Sequence, residues 1–144
     1  MASNPKRVAK AFIDSSVLIA AAISPTGSAR DLIKKTLRNE IKIVVSDLVI
    51  EETQRNLTKK APQTLPALQL FLETLNPEVV TPAKSQLVKV SKIIEQKDTP
   101  IVAGAISSKA DYLVTFDRKH LLQYKGVIGK SFKIKVVTPD EITK

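Results

Sequence analysis

The sequence predicts an α/β fold: a mostly parallel sheet of four to five strands, covered on both faces by helices. Three observations carry this. Short apolar runs alternate with longer segments whose apolar residues recur at helical spacing. Two of the runs, residues 8–13 and 41–45, are apolar enough to be buried on both faces, as parallel strands are. The helical segments between runs are long enough for right-handed crossovers in one sheet. A chain of 144 residues is one domain by length, here 1–144 with an ordered core over about residues 8–142.

Taken in order, residues 1–7 are polar and expected to fray. Residues 8–13 form the first strand and 27–38 a helix with Ala29, Leu32, Ile33 and Leu37 on one face. The second strand, 41–45, leads into a helix over 47–59, and the stretch TKKAPQ at 58–63 is a turn. Thr64 and Pro66 mark the start of a helix whose stripe is Leu65, Leu68, Leu72 and Leu75. A weak strand follows near Val79 and Val80. Residues 84–96 repeat Leu87, Val90 and Ile94 helically, and Thr99 and Pro100 open another helix in the cap and first-turn positions. Residues 112–115 and 132–137 are the remaining strands, with KGVIGK at 125–130 read as a turn before the last. Its GxxG spacing occurs in KH loops, but the surrounding pattern does not fit that module.

The charge balance narrows the function. Lys and Arg total 23 against 14 Asp and Glu, a net charge of +9 that attracts polyanions. Only 4% of residues are aromatic, so contact with nucleic acid would run through phosphate rather than base stacking. The chain has no cysteine, which excludes disulfides and thiolate metal sites. The N-terminus lacks the apolar run of a signal peptide, and the longest apolar stretch, residues 17–23, is too short to span a membrane. A cytoplasmic protein with no membrane partner is expected.

Against this basic background, acids fall where a parallel sheet gathers function, at the carboxyl ends of strands. Asp14 closes the first strand in AFIDSS, and Asp117 closes a later one in YLVTFD. Asp98 stands directly before a helix, where the dipole favours a negative charge. Of two neighbouring glutamates, Glu51 shares a polar stripe with Asp47 and Arg55. Glu52 shares the face of Leu48 and Val49 that packs towards the sheet, and is the better candidate. Like charges about 4 Å apart repel by roughly 4 kcal/mol at an effective dielectric near 20. A hard divalent cation relieves that repulsion, and Mg²⁺ and Mn²⁺ prefer carboxylate and water oxygens. Taken singly, each acid reads more readily as a cap or turn residue. Their combination is what points to a site.

That combination resembles the PIN domain, in particular its toxin-like branch that includes VapC-type toxins of toxin–antitoxin pairs. FIDSSVLIAA is similar to the opening strand and turn, with Asp14 as first acid and Ser16 two positions on. VVSDLVIEETQRNL resembles the second motif, where an acid six residues after Ser46 is again Glu52. DTPIVAGAISSKADYLVTFD resembles the third and fourth motifs, with Asp98, Pro100, Thr115 and Asp117, and VVTPDEI resembles the closing strand and turn. The resemblance spans residues 8–142. It implies a three-layer α/β/α sandwich and a Mg²⁺- or Mn²⁺-dependent endoribonuclease, with Asp14, Glu52, Asp98 and Asp117 as catalytic metal ligands. Ser16 and Thr115 would orient those acids, and products would carry 5′-phosphate. RNA is then the substrate, and a small antitoxin and a second copy of the chain are candidate partners. The sequence departs from the family at Phe116, where glycine is frequent, and at Ser16, where some branches carry asparagine.

Nearby residues have plainer readings. Arg118 and Lys119 are candidates for phosphate contact or simply a solvated basic face, as Lys34, Lys35 and Arg38 are. His120, the single histidine, reads as a partly exposed helix residue. Rival enzyme classes fit poorly. A haloacid dehalogenase-like phosphotransferase needs a second Asp where Ser16 stands, a receiver domain needs paired acids where Asp14 is alone, and 4 glycines leave no nucleotide loop. The remaining rival is a PIN-like fold that binds RNA or scaffolds a complex without cutting.

Overall fold

The computed structural model describes residues 7–144. Five strands form one wholly parallel sheet in the order β3-β2-β1-β4-β5. They are β1 (Lys10–Ile13), β2 (Lys42–Ser46), β3 (Glu78–Val80), β4 (Tyr112–Val114) and β5 (Lys135–Val137). Phe12 lies beside Val44 on one side and Leu113 on the other, so β1 is the central strand. The apolar runs that named β1 and β2 are buried from Ala11 to Ile13 and from Ile43 to Val45. Each large side chain removed from water there contributes about 1.5–3 kcal/mol.

Between β1 and β2 run α1 (Ser15–Ile23) and α2 (Ser28–Leu37). Between β2 and β3 run α3 (Asp47–Lys60), a short 3₁₀ turn at Pro62–Thr64, and α4 (Leu65–Leu75). These four helices pack on one another as one layer. The chain then passes through α5 (Lys84–Ser91) and α6 (Thr99–Ser107) to β4, and through α7 (Lys125–Phe132) to β5; α8 (Pro139–Thr143) packs back on α2. Helix α6 contacts β1, β2 and β4 and supports the second face. It approaches the sheet tightly at Gly104, where an added Cβ would stand 2.9 Å from Cε2 of the fully buried Phe12. The α/β/α sandwich is therefore the observed architecture.

Some elements differ from expectation. Helix α1 has no counterpart in the periodicity, because SSVLIAAAI is apolar on nearly every face and gives no amphipathic signal. The KGVIGK segment is not a turn. It forms most of α7, which buries Ile128 and ends at Lys133 with left-handed φ of 58°. Phe132 consequently belongs to that helix, and the last strand starts at Lys135. The helix expected over 84–96 stops at Ser91, and residues 92–98 turn to bring Asp98 to the start of α6. The expected frayed start falls on residues 1–6, which lie outside the described residues; Arg7 is tied by a 2.6 Å ion pair to Asp111. None of the described helices is long and apolar enough to cross a membrane.

Candidate active site

Two crossovers leave the central strands to opposite faces, so the sheet order reverses between β1 and β4. A crevice opens there, at the carboxyl ends of the strands. Asp14 follows β1 directly, and its backbone N–H still pairs with Val114 O of β4 at 3.0 Å. The cleft has a volume of about 400 Å³, and all four sequence-predicted acids, Asp14, Glu52, Asp98 and Asp117, line it.

Asp14 is 7% exposed and held from several sides. As N-cap of α1, its Oδ1 accepts the Ser15 N–H at 2.7 Å. Its Oδ2 accepts from Thr115 Oγ1 at 2.9 Å and Ser16 Oγ at 3.1 Å. The two hydroxyls also fix the loop after β4: Ser16 Oγ accepts the Phe116 N–H at 3.0 Å, and Thr115 Oγ1 accepts the Asp117 N–H at 2.9 Å. Ser16 and Thr115 thus lock two acid-bearing segments, β1–α1 and the loop after β4, to one carboxylate. Asp117 does not close a strand directly, since β4 ends at Val114.

Glu52 projects from α3, whose start is capped by Ser46 Oγ accepting the Val49 N–H at 3.2 Å. Glu51 is exposed, whereas Glu52 is half-buried and its Oε2 accepts from Ser15 Oγ at 3.2 Å. Ser15 therefore bridges Asp14 and Glu52. The sequence reading passed over it, because its role depends on α1 being a helix. Phe116 also lines the cleft, next to Asp117.

Asp98 stands at the start of α6. It is 4% exposed, its side chain makes no capping bond to α6, and Oδ2 has no hydrogen-bond partner. Burial pushes its carboxyl above the usual range, and repulsion from Asp117 adds to this, partly offset by nearby His120 and Lys97. His120 lies in a turn, not a helix, with Nδ1 3.5 Å from Asp98 Oδ2. Its backbone N–H donates to Asp117 Oδ1 at 3.2 Å. Arg118 and Lys119 are exposed immediately beyond Asp117.

Residues 10–119 match the family profile described as PIN domain. The chain belongs to the PIN domain family. Two solved structures show the same PIN fold. VapBC2 from Rickettsia felis, solved bound to a DNA fragment from its promoter, is similar with a TM-score of 0.63 at 19% identity over 89% of this chain and 96% of that one. PAE2754 from Pyrobaculum aerophilum gives 0.59 at 20% identity, over 94% and 88%. No curated protein matches the chain. The four acids read from the sequence fall on the switch-point cleft.

The donor set fits a hard divalent cation. All four acids offer oxygen, no thiolate competes, and Asp98 Oδ2 is a buried acceptor with unspent lone pairs. Among the described residues, the group whose ligand atoms all lie within 4.8 Å of one another is Glu95, Asp98 and His120, not the four cleft acids.

Proposed function

We propose that the chain is a metal-dependent endoribonuclease, using Mg²⁺ or Mn²⁺, and the toxin half of a toxin–antitoxin pair. The observation that carries the first part is the convergence of four carboxylates on one switch-point cleft in a chain of net charge +9. Asp14, Glu52, Asp98 and Asp117 would hold the ion. Its contribution when bound is to lower the pKa of water and neutralise charge on the scissile phosphate.

The chain's own residues supply the rest. Ser15, Ser16 and Thr115 occupy both Asp14 oxygens and hold its carboxylate in one orientation before substrate arrives. The basic surface gathers RNA by its backbone, with Arg118 and Lys119 beside Asp117 meeting phosphate. Phe116 restricts the approach to Asp117, which favours a flexible single strand over a rigid duplex. The toxin reading, with a small antitoxin as partner and a homodimer as assembly, is supported by the motifs and by the fold shared with VapBC2.

The test is cleavage of a panel of end-labelled RNAs in Mg²⁺ or Mn²⁺, with EDTA and Asp14→Asn protein as controls. Cleavage lost in both controls, leaving 5′-phosphate ends, supports the proposal. Binding without cleavage in either metal would overturn it in favour of a non-cutting RNA-binding scaffold, and wild-type cleavage by Asp14→Asn would remove Asp14 from the mechanism.

A further inference from the structure

Behind the cleft lies a cluster of different chemistry. Glu95 and Asp98 are held in one turn, where the Asp98 N–H donates to Glu95 O at 3.0 Å and the Thr99 N–H to the same oxygen at 3.0 Å. His120 reaches them from the turn after β4, placed by its own N–H on Asp117 Oδ1. Ligand atoms of Glu95, Asp98 and His120 lie within 4.8 Å of one another. Asp98 contributes a buried oxygen, Oδ2, that no donor satisfies. Its neighbour Nδ1 of His120 is 3.5 Å away, too far for a good hydrogen bond.

That separation has a physical meaning. Two ligands bound at about 2.0–2.2 Å to a tetrahedral ion stand about 3.4 Å from each other. The Asp98–His120 pair is thus already spaced as two vertices of one coordination shell, with the exposed Glu95, which also meets the Tyr124 hydroxyl, within reach as a third. Lys97 Nζ lies 3.4 Å from His120 Nε2 on an exposed, flexible chain, a single charge that a divalent ion can displace. An imidazole nitrogen with two carboxylates suits a borderline transition metal, whereas Mg²⁺ favours all-oxygen octahedral surroundings.

We propose that Glu95, Asp98 and His120 form a second cation site, which binds Zn²⁺ or a similar borderline divalent ion in preference to Mg²⁺. The proposal does not depend on the cleft cutting RNA. Because Asp98 also lines the cleft, an ion in the cluster takes one of its oxygens and couples the two sites.

The chain has one histidine, so every imidazole nitrogen signal comes from His120, and the loss of affinity in Glu95→Gln assigns the ion to the cluster rather than to the cleft. The experiment is a ZnCl₂ titration of untagged, ¹⁵N-labelled Asp14→Asn protein, followed by the His120 nitrogen resonances. Wild type in excess Mg²⁺ serves as a parallel sample that does not depend on the variant folding. One imidazole nitrogen should shift and saturate at one equivalent in both samples, and Glu95→Gln should weaken the binding at least tenfold. Unmoved imidazole nitrogens at one equivalent would overturn the proposal, as would displacement of Zn²⁺ by comparable Mg²⁺. RNA cleavage is not read in this experiment, so its failure leaves the cleft assignment intact, and a cleft that does not cut leaves the zinc result standing.

Discussion

In metal-free protein at neutral pH, replacing Asp98 with asparagine is expected to stabilise the fold while removing a donor from the cleft. The wild-type carboxylate is buried with Oδ2 unpartnered, and a buried acceptor left unsatisfied costs about 1–3 kcal/mol. Its side chain makes no cap bond, so none is lost. Losing the negative charge at the start of α6 works the other way by roughly 0.3–1 kcal/mol. Asparagine keeps the shape, and its amide can donate towards Nδ1 of His120. The net gain is about 1 kcal/mol, or a rise in Tm of about 3–4 °C for a chain of this size.

The pH dependence fixes the sign. Burial raises the Asp98 pKa in the folded state, so ionising it costs stability. The contribution of Asp98 to stability is fully present below the ordinary carboxylate pKa of about 4, and that contribution is lost as pH rises through the raised value. The gap between variant and wild type should therefore open towards neutrality and close in acid. Thermal melts in EDTA across that range measure it. Adding Mg²⁺ should reverse the order, since an ion at 100 times its Kd stabilises only the protein that binds it, by about 2.7 kcal/mol. A variant less stable than wild type in EDTA at neutral pH, or a gap that ignores pH, would refute the reasoning.

Thr115→Val removes the hydroxyl that donates to Asp14 and accepts from Asp117 N–H. It should cost about 1–3 kcal/mol of stability and about 10–100-fold in metal affinity or cleavage, with Thr115→Ser restoring most of both; equal activity in the valine variant would show that the hydroxyl does not position Asp14. Gly104→Ala drives a Cβ into the buried Phe12 ring. Overpacking of this kind should lower stability by about 1–3 kcal/mol, and an unchanged urea midpoint would mean that the ring moves aside freely.

The sequence by itself determined strands β1 and β2 and the four acids that line the cleft. It could do so because β1 and β2 are buried on both faces and read as continuous apolar runs, and because Asp14 follows a strand, Asp98 precedes a helix, Asp117 lies just past β4 and Glu52 lies on the inward face of α3. The choice of Glu52 over Glu51 was likewise local, a matter of helical face, and the structure turns Glu52 to the cleft. Helix α1 escaped because a segment apolar almost all round has no period, and with it went Ser15, which only that helix brings to Glu52. The strand order, which puts β4 beside β1 and opens the crevice, depends on crossover direction across the whole sheet. The pairing of His120 with Asp98 needs the turn after β4 to fold back on the turn before α6, a contact between residues 22 positions apart that no local propensity encodes. Local chemistry chose the functional side chains, and only tertiary packing decided which of them face the same space.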